Sequence, residues 1–177
     1  MKYIKIISLV LFLSSCGFQP LYVQQSGNSN WFFNNSFDTS ITQEMSQIKI
    51  ASIKDRFGQQ LRNNLLDLLT PKGVPQNAKY RLVVKILNKR ITQQAMRDDV
   101  TATNERINYT IRYQLFSSST LLLSGNSMAF VSYDILSDPY STTMSQKKAE
   151  QDAAKIIADD IALRLGAYFH SQHDGVR

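Results

Sequence analysis

The chain has 177 residues, 43% of them hydrophobic, enough for one domain of about 100–150 residues with tails. Its formal charge of +6 comes from 20 Lys and Arg scattered along the whole length against 14 Asp and Glu. No run of five like charges occurs, so the concentrated basic stripe of a nucleic-acid binder is absent and no nucleic-acid partner is expected. A single cysteine, Cys16, excludes an intramolecular disulfide framework.

The N-terminus reads as an address. Lys2 and Lys5 precede an apolar run from Ile6 to Leu13, broken only by Ser8, and the small residues Ser14 and Ser15 follow. That is the layout of a secretory signal peptide, assigned to residues 1–15. The run is far shorter than the ~20 residues that span a membrane. Leu13-Ser14-Ser15-Cys16-Gly17 resembles the lipobox of bacterial lipoproteins. A thiol there carries the diacylglycerol thioether, small residues before it admit the peptidase, and cleavage frees the amine of Cys16 for another acyl chain. At about 0.8 kcal/mol per buried methylene, two or more chains hold a domain on a membrane. Residue 17 is Gly rather than Asp, the residue that signals inner-membrane retention in proteobacterial lipoproteins, so export to the outer membrane is expected. Taking Lys2 and Lys5 from the 20 basic residues leaves 18 against 14 acidic ones, a mature charge of +4.

Residues 16–46 are expected to form the lipidated N-terminus and a tether. From Gln24 to Ser46 the composition is mostly Asn, Ser, Gln and Thr, without a clear period. Trp31, Phe32, Phe33 and Phe37 interrupt it, and either dock on a partner or pack on their own domain. The domain itself is assigned to residues 47–169. Ile48-Lys49-Ile50 alternates as a short strand. Asp55 is placed as an N-cap, and Phe57, Leu61, Leu65 and Leu68 give the following helix one apolar stripe, weakened at Gly58 and stopped by Pro71 and Gly73.

Tyr80, Leu82, Val84 and Ile86 alternate with Arg81, Val83 and Lys85, and polar residues continue to about Met96. Ile107, Tyr109, Ile111, Tyr113 and Leu115 alternate with Asn108, Thr110, Arg112 and Gln114, so one face is buried and the other is wet or meets a polar partner. Ser117–Thr120 turns into a strand from Leu121 to Ile135, with Gly125 read as a bulge. Asp138-Pro139 ends it. Ala149, Ala153, Ile157, Ile161, Leu165 and Phe169 mark a helix from about Thr143 to Phe169, with Asp160 and Arg164 as an i,i+4 pair. Residues 170–177 are expected to be a flexible tail. The order predicts an α+β two-layer sandwich, two helices packed on one face of a mostly antiparallel four-stranded sheet whose last three strands form a meander.

Catalytic constellations are missing. His170 and His173 have no third ligand nearby and read as solvated, so no metal or other cofactor is expected. Acylation consumes the only thiol, and no Gly-rich phosphate loop occurs. Asp98-Asp99 suits a hairpin turn, and Asp159-Asp160 a solvated helix face. Two basic features are candidates for an anion. Arg97, at the tip between the second and third strands, is either a fork for a phosphate or a turn residue paired with its neighbouring aspartates. Lys147-Lys148, read as lying in the first turns of the last helix, either join its free N–H groups in an anion site or form a solvated face.

Cys16-Gly17-Phe18-Gln19-Pro20-Leu21-Tyr22 resembles the mature N-terminus of the lipopolysaccharide-assembly lipoprotein family (LptE), in its alphaproteobacterial form. Phe130 to Tyr133, Asp138-Pro139-Tyr140 and an Ala-rich final helix ending Leu163-Arg164-Leu165 extend the similarity, which runs from Met1 to Phe169. The Asn-rich segment from Asn28 to Thr42 departs from that pattern. The resemblance implies a non-enzymatic lipoprotein, anchored in the outer membrane and facing the periplasm and a barrel lumen. It would plug and help assemble a large LptD-like outer-membrane β-barrel and assist lipopolysaccharide insertion. It also implies that Arg97 and, by position near the last helix, Lys147 with Lys148 contact the lipid phosphates, and that the polar face of Asn108, Thr110, Arg112 and Gln114 suits a polar lumen. Two other functions compete. A stand-alone lipoprotein binding a lipid or amphiphile needs an apolar cavity; an envelope hydrolase needs a clustered nucleophile and base.

Overall fold

The computed structural model describes residues 36–96 and 102–174, with side chains from 40–94 and 104–173. The signal peptide, Cys16, Trp31, Phe32, Phe33, the side chain of Phe37, and Arg97, Asp98 and Asp99 lie outside the described residues.

The described chain runs α1 (Ser36–Ser46), β1 (Ile48–Ile50), α2 (Asp55–Leu69), β2 (Tyr80–Met96), β3 (Ala102–Ser117), β4 (Thr120–Asp134) and α3 (Pro139–Asp174). The strands form one sheet in the order β1-β2-β3-β4. β1 is parallel to β2, with Ile48 beside Tyr80, and β2-β3-β4 is an antiparallel meander. The expected α+β sandwich is the observed architecture, with one helix more than the two expected. Residues Thr39–Arg177 make up one folded unit.

That added helix, α1, replaces the end of the expected tether. Ile41 and Met45, one turn apart in an otherwise polar segment, are both buried in the core. Two apolar residues are too few to stabilise an isolated helix, and docking on a core supplies what periodicity does not reveal. The Lys79 ammonium bonds both Glu44 carboxylate oxygens, at 3.0 and 3.1 Å.

In α2 the buried stripe is Phe57, Leu61, Leu65 and Leu69, with Leu68 only partly covered. Lys54, not Asp55, occupies the cap position, and no side chain caps the helix. Asp55 instead takes φ +70°, a left-handed conformation that Asp tolerates better than most residues. Gly58 is required by packing: a Cβ there would lie 2.6 Å from Ile53 Cγ2. The Phe57 ring stacks on Tyr109 at 3.8 Å between centroids, which sets α2 over β3.

Every inward position expected on β3 is buried, from Ile107 to Leu115. β2 changes phase midway. Tyr80, Leu82 and Val84 face the helices, but an irregularity between Ile86 and Asn88 brings Lys89 opposite Tyr109 and Ile91 opposite Ile107. Lys89 is therefore on the helix side, where its Nζ meets Glu150 Oε1 at 2.7 Å. Gly125 is not a bulge. It pairs in register with Tyr113, and the irregularity of β4 falls beside Phe116 instead.

α3 starts four residues before its expected beginning. Pro139 occupies the first helical position and Asp138 caps it, its Oδ2 accepting from the Ser141 N–H at 2.8 Å and the Ser141 hydroxyl at 2.6 Å. The helix continues to Asp174, so His170 and His173 belong to its last turns rather than to a loose tail. Ala149, Ala153, Ile157, Ile161, Leu165 and Phe169 are buried as expected, joined by the adjacent row Ala154, Ala158 and Ala162. The predicted Arg164–Asp160 pair is present at 2.8 Å. Leu61, Leu65, Ile107, Ile111, Ile157 and Leu165, none exposed, fill the space between the layers. No helix among the described residues is long and apolar enough to cross a membrane.

Candidate functional site

With the helices on one side of the sheet, the other side of β2–β4 is open. Alternation decides what it displays. On β3 the buried odd-numbered residues leave Arg106, Asn108, Thr110, Arg112 and Gln114 facing outward. Register then adds their neighbours: Lys85 beside Arg112, Arg90 beside Asn108, and Arg81 beside Phe116. Lys49, between buried Ile48 and Ile50, stands beside Arg81. From β4 come Asn126, Met128 and Phe130, the last two 54% and 61% exposed. The Arg112 Nε lies 3.5 Å from Asn126 Oδ1, and the Arg81 guanidinium sits 5.2 Å from the Phe116 ring centre.

The sequence pointed to Asn108, Thr110, Arg112 and Gln114 as a polar face, and these residues do share it. It set Lys49, Arg81 and Lys85 opposite the apolar positions of their own strands without joining them to this face, and it did not point to Arg90 or Arg106. Strand alternation identifies Arg81 and Lys85 once β3 is fixed, but Arg90 reaches this face only because β2 slips at Leu87.

The anion site expected at the start of the last helix is corrected by the structure. α3 begins at Pro139, so Lys147 and Lys148 lie in its third turn, away from the free N–H groups. Those N–H groups already serve the chain's own Asp138, whose carboxyl is held below its ordinary range by the Ser141 hydroxyl and backbone. Lys148 pairs with Asp152 one turn on. Lys147 is half-buried and makes no ion pair with a described residue. The Lys89–Glu150 contact nonetheless draws β2 alongside this part of α3. Lys147 therefore lies towards the Met96–Ala102 end of the β2–β3 ladder.

On the helix side at that end, Tyr133 donates to Glu105. Burial, together with Glu105 and Glu150, keeps its hydroxyl protonated well above the usual tyrosine range. Among the described residues no group of three or more His, Cys, Asp or Glu is placed to hold a metal ion.

The arrangement offers a broad basic and polar surface.

Comparison with known proteins agrees with this geometry. A crystal structure of a Caulobacter crescentus CB15 protein, described as a lipoprotein, superposes with a TM-score of 0.62 at 20% identity, over 73% of this chain and 96% of that one. A minor lipoprotein from Acinetobacter baumannii gives a TM-score of 0.52 at 16% identity, over 69% and 92%. At these identities the likeness concerns the fold. No curated protein matches significantly. The family model described as "LptE: Lipopolysaccharide-assembly" matches residues 45–165, from the end of α1 to the last turns of α3. By that match, over more than half of its length, the chain belongs to the LptE lipopolysaccharide-assembly family.

Proposed function

We propose that this protein is an outer-membrane lipoprotein, anchored through acyl chains on Cys16, that plugs and helps assemble an LptD-like β-barrel and assists lipopolysaccharide insertion. Family membership carries the reading. The two-sided domain supports it. One sheet face is sealed by helices, and the other displays polar and basic groups suited to a lumen, which in such barrels is polar. Arg97 and Lys147 are the cations assigned to the lipid phosphates, as the family resemblance implies. Lys148, already paired with Asp152, has a smaller part. The filled interlayer core offers little support for a stand-alone lipid carrier.

Detergent extraction of membranes expressing both proteins tests the reading. The expected result is a stable 1:1 complex with the barrel, and for Cys16→Ala a folded domain released from the membrane. Absence of any complex with the wild-type chain would refute the plug, and a Cys16→Ala variant still held in the membrane would refute the anchor.

A further inference from the structure

The open sheet face has an unbalanced charge. Lys49, Arg81, Lys85, Arg90, Arg106 and Arg112 all point away from the helices, and none makes an ion pair with a described residue. Two of the contacts are between like charges in direct register, Lys49 beside Arg81 and Lys85 beside Arg112. Such cross-strand pairs are destabilising. The described acid on this face of β2–β4 is Asp134, at the end of β4, where Asn104 binds it at 2.9 Å. A surface that breaks a local rule of stability in this way is a place to seek a function.

We infer that this face docks flat against an acidic protein wall, a sheet surface displaying Asp and Glu side chains. The inference rests on the plug reading above and names the chemistry of the barrel surface that the plug meets.

Shape favours a protein wall over a lipid headgroup. From Arg81 to Arg90 the cations extend about 30 Å along β2, at roughly 3.3 Å per residue. From β1 to β3 they extend about 10 Å across, at just under 5 Å per strand. That is a flat strip rather than a cup around one phosphate. A barrel's inner wall is also a sheet and repeats its lumen-facing side chains with the same two-residue period. Four of the six cations are Arg, whose planar fork matches a carboxylate. Arg81 lies beside the Phe116 ring and Arg112 beside Asn126.

The apolar Met128 and Phe130 lie on β4, beside Thr110 and Asn108.

The test uses the full lipidated chain with the LptD-like barrel of the same organism. Lys85→Glu with Arg112→Glu is expected to weaken association with the barrel by at least about tenfold, with a reduced dependence on salt, while binding to lipopolysaccharide micelles stays within about twofold of wild type. Lys85→Gln with Arg112→Gln, which relieves the like-charge contact and spares the fold, is expected to weaken association less. Asp or Glu→Lys changes on the barrel's lumenal wall should restore the double-Glu variant. Unchanged barrel association in both double variants overturns the inference. So does a loss confined to the micelles, or an equal loss in both assays, either of which would assign the face to lipid phosphate. Failure of the wild-type chain to bind the barrel at all refutes the plug reading itself, so the two failures are distinct.

Discussion

Gly125 stands directly across from Tyr113 in the β3–β4 ladder, and the tyrosine ring lies over the glycine, its hydroxyl where a side chain on residue 125 would begin. Tyr113 is 2% exposed, so the ring has little room to retreat. A glycine in a strand normally weakens it, and here an aromatic across the ladder covers the gap. Gly125→Val is therefore expected to destabilise the domain by about 1–3 kcal/mol despite the higher strand propensity of valine. Urea denaturation measures it, and adding Tyr113→Leu should recover part of the loss. A stabilised Gly125→Val would contradict the packing.

The Tyr133 hydroxyl gives an alkaline dependence. Burial, the hydrogen bond to Glu105 and the nearby Glu150 raise its pKa in the folded chain. The folded state thus holds this proton more tightly than the unfolded state. The resulting stability is complete below the ordinary tyrosine range near about pH 10 and is lost as pH rises beyond it. Tyr133→Phe should flatten the fall in stability between about pH 9 and 11 and cost about 1–2 kcal/mol at neutral pH through the lost charged hydrogen bond. Denaturant midpoints across that range check both; an unaltered pH slope would be the contrary result.

Ile41 in α1 is 5% exposed and belongs to the core. Ile41→Ala is expected to cost about 2–5 kcal/mol. Glu44→Gln, which weakens the surface contacts of that carboxylate with Lys79 and Tyr80, should cost about 0.2–1 kcal/mol. Thermal melts of the two variants separate a docked helix from a mere tether, for which both changes would be near neutral.

Arg97→Asp combined with Lys147→Asp should weaken lipopolysaccharide binding by about tenfold or more, on the scale of one or two charged hydrogen bonds. The effect on barrel association should be smaller. Lys148→Asp should do much less to lipid binding, because Asp152 already engages that ammonium. Titration with lipopolysaccharide micelles reads all three, and equal losses for Lys147 and Lys148 would dismiss the distinction drawn between them.

Periodicity alone determined the sandwich. The alternation of Ile107 to Leu115 and the four-residue recurrence of Ala149 to Phe169 are local patterns, and each residue in them is buried as its spacing requires. Only tertiary structure decided the rest. α1 exists because Ile41 and Met45 find a core that two apolar residues cannot announce. Gly125 is in register because a ring from the neighbouring strand covers it. Asp138 caps α3 because Pro139 opens a helix that the polar residues before Ala149 had concealed, and that earlier start moved Lys147 and Lys148 away from the helix end. The basic face was divided among three strands distant in sequence, and pairing register together with the slip in β2 assembled it. Such a surface depends on which strands are neighbours, a property of contacts across the chain rather than of any stretch within it.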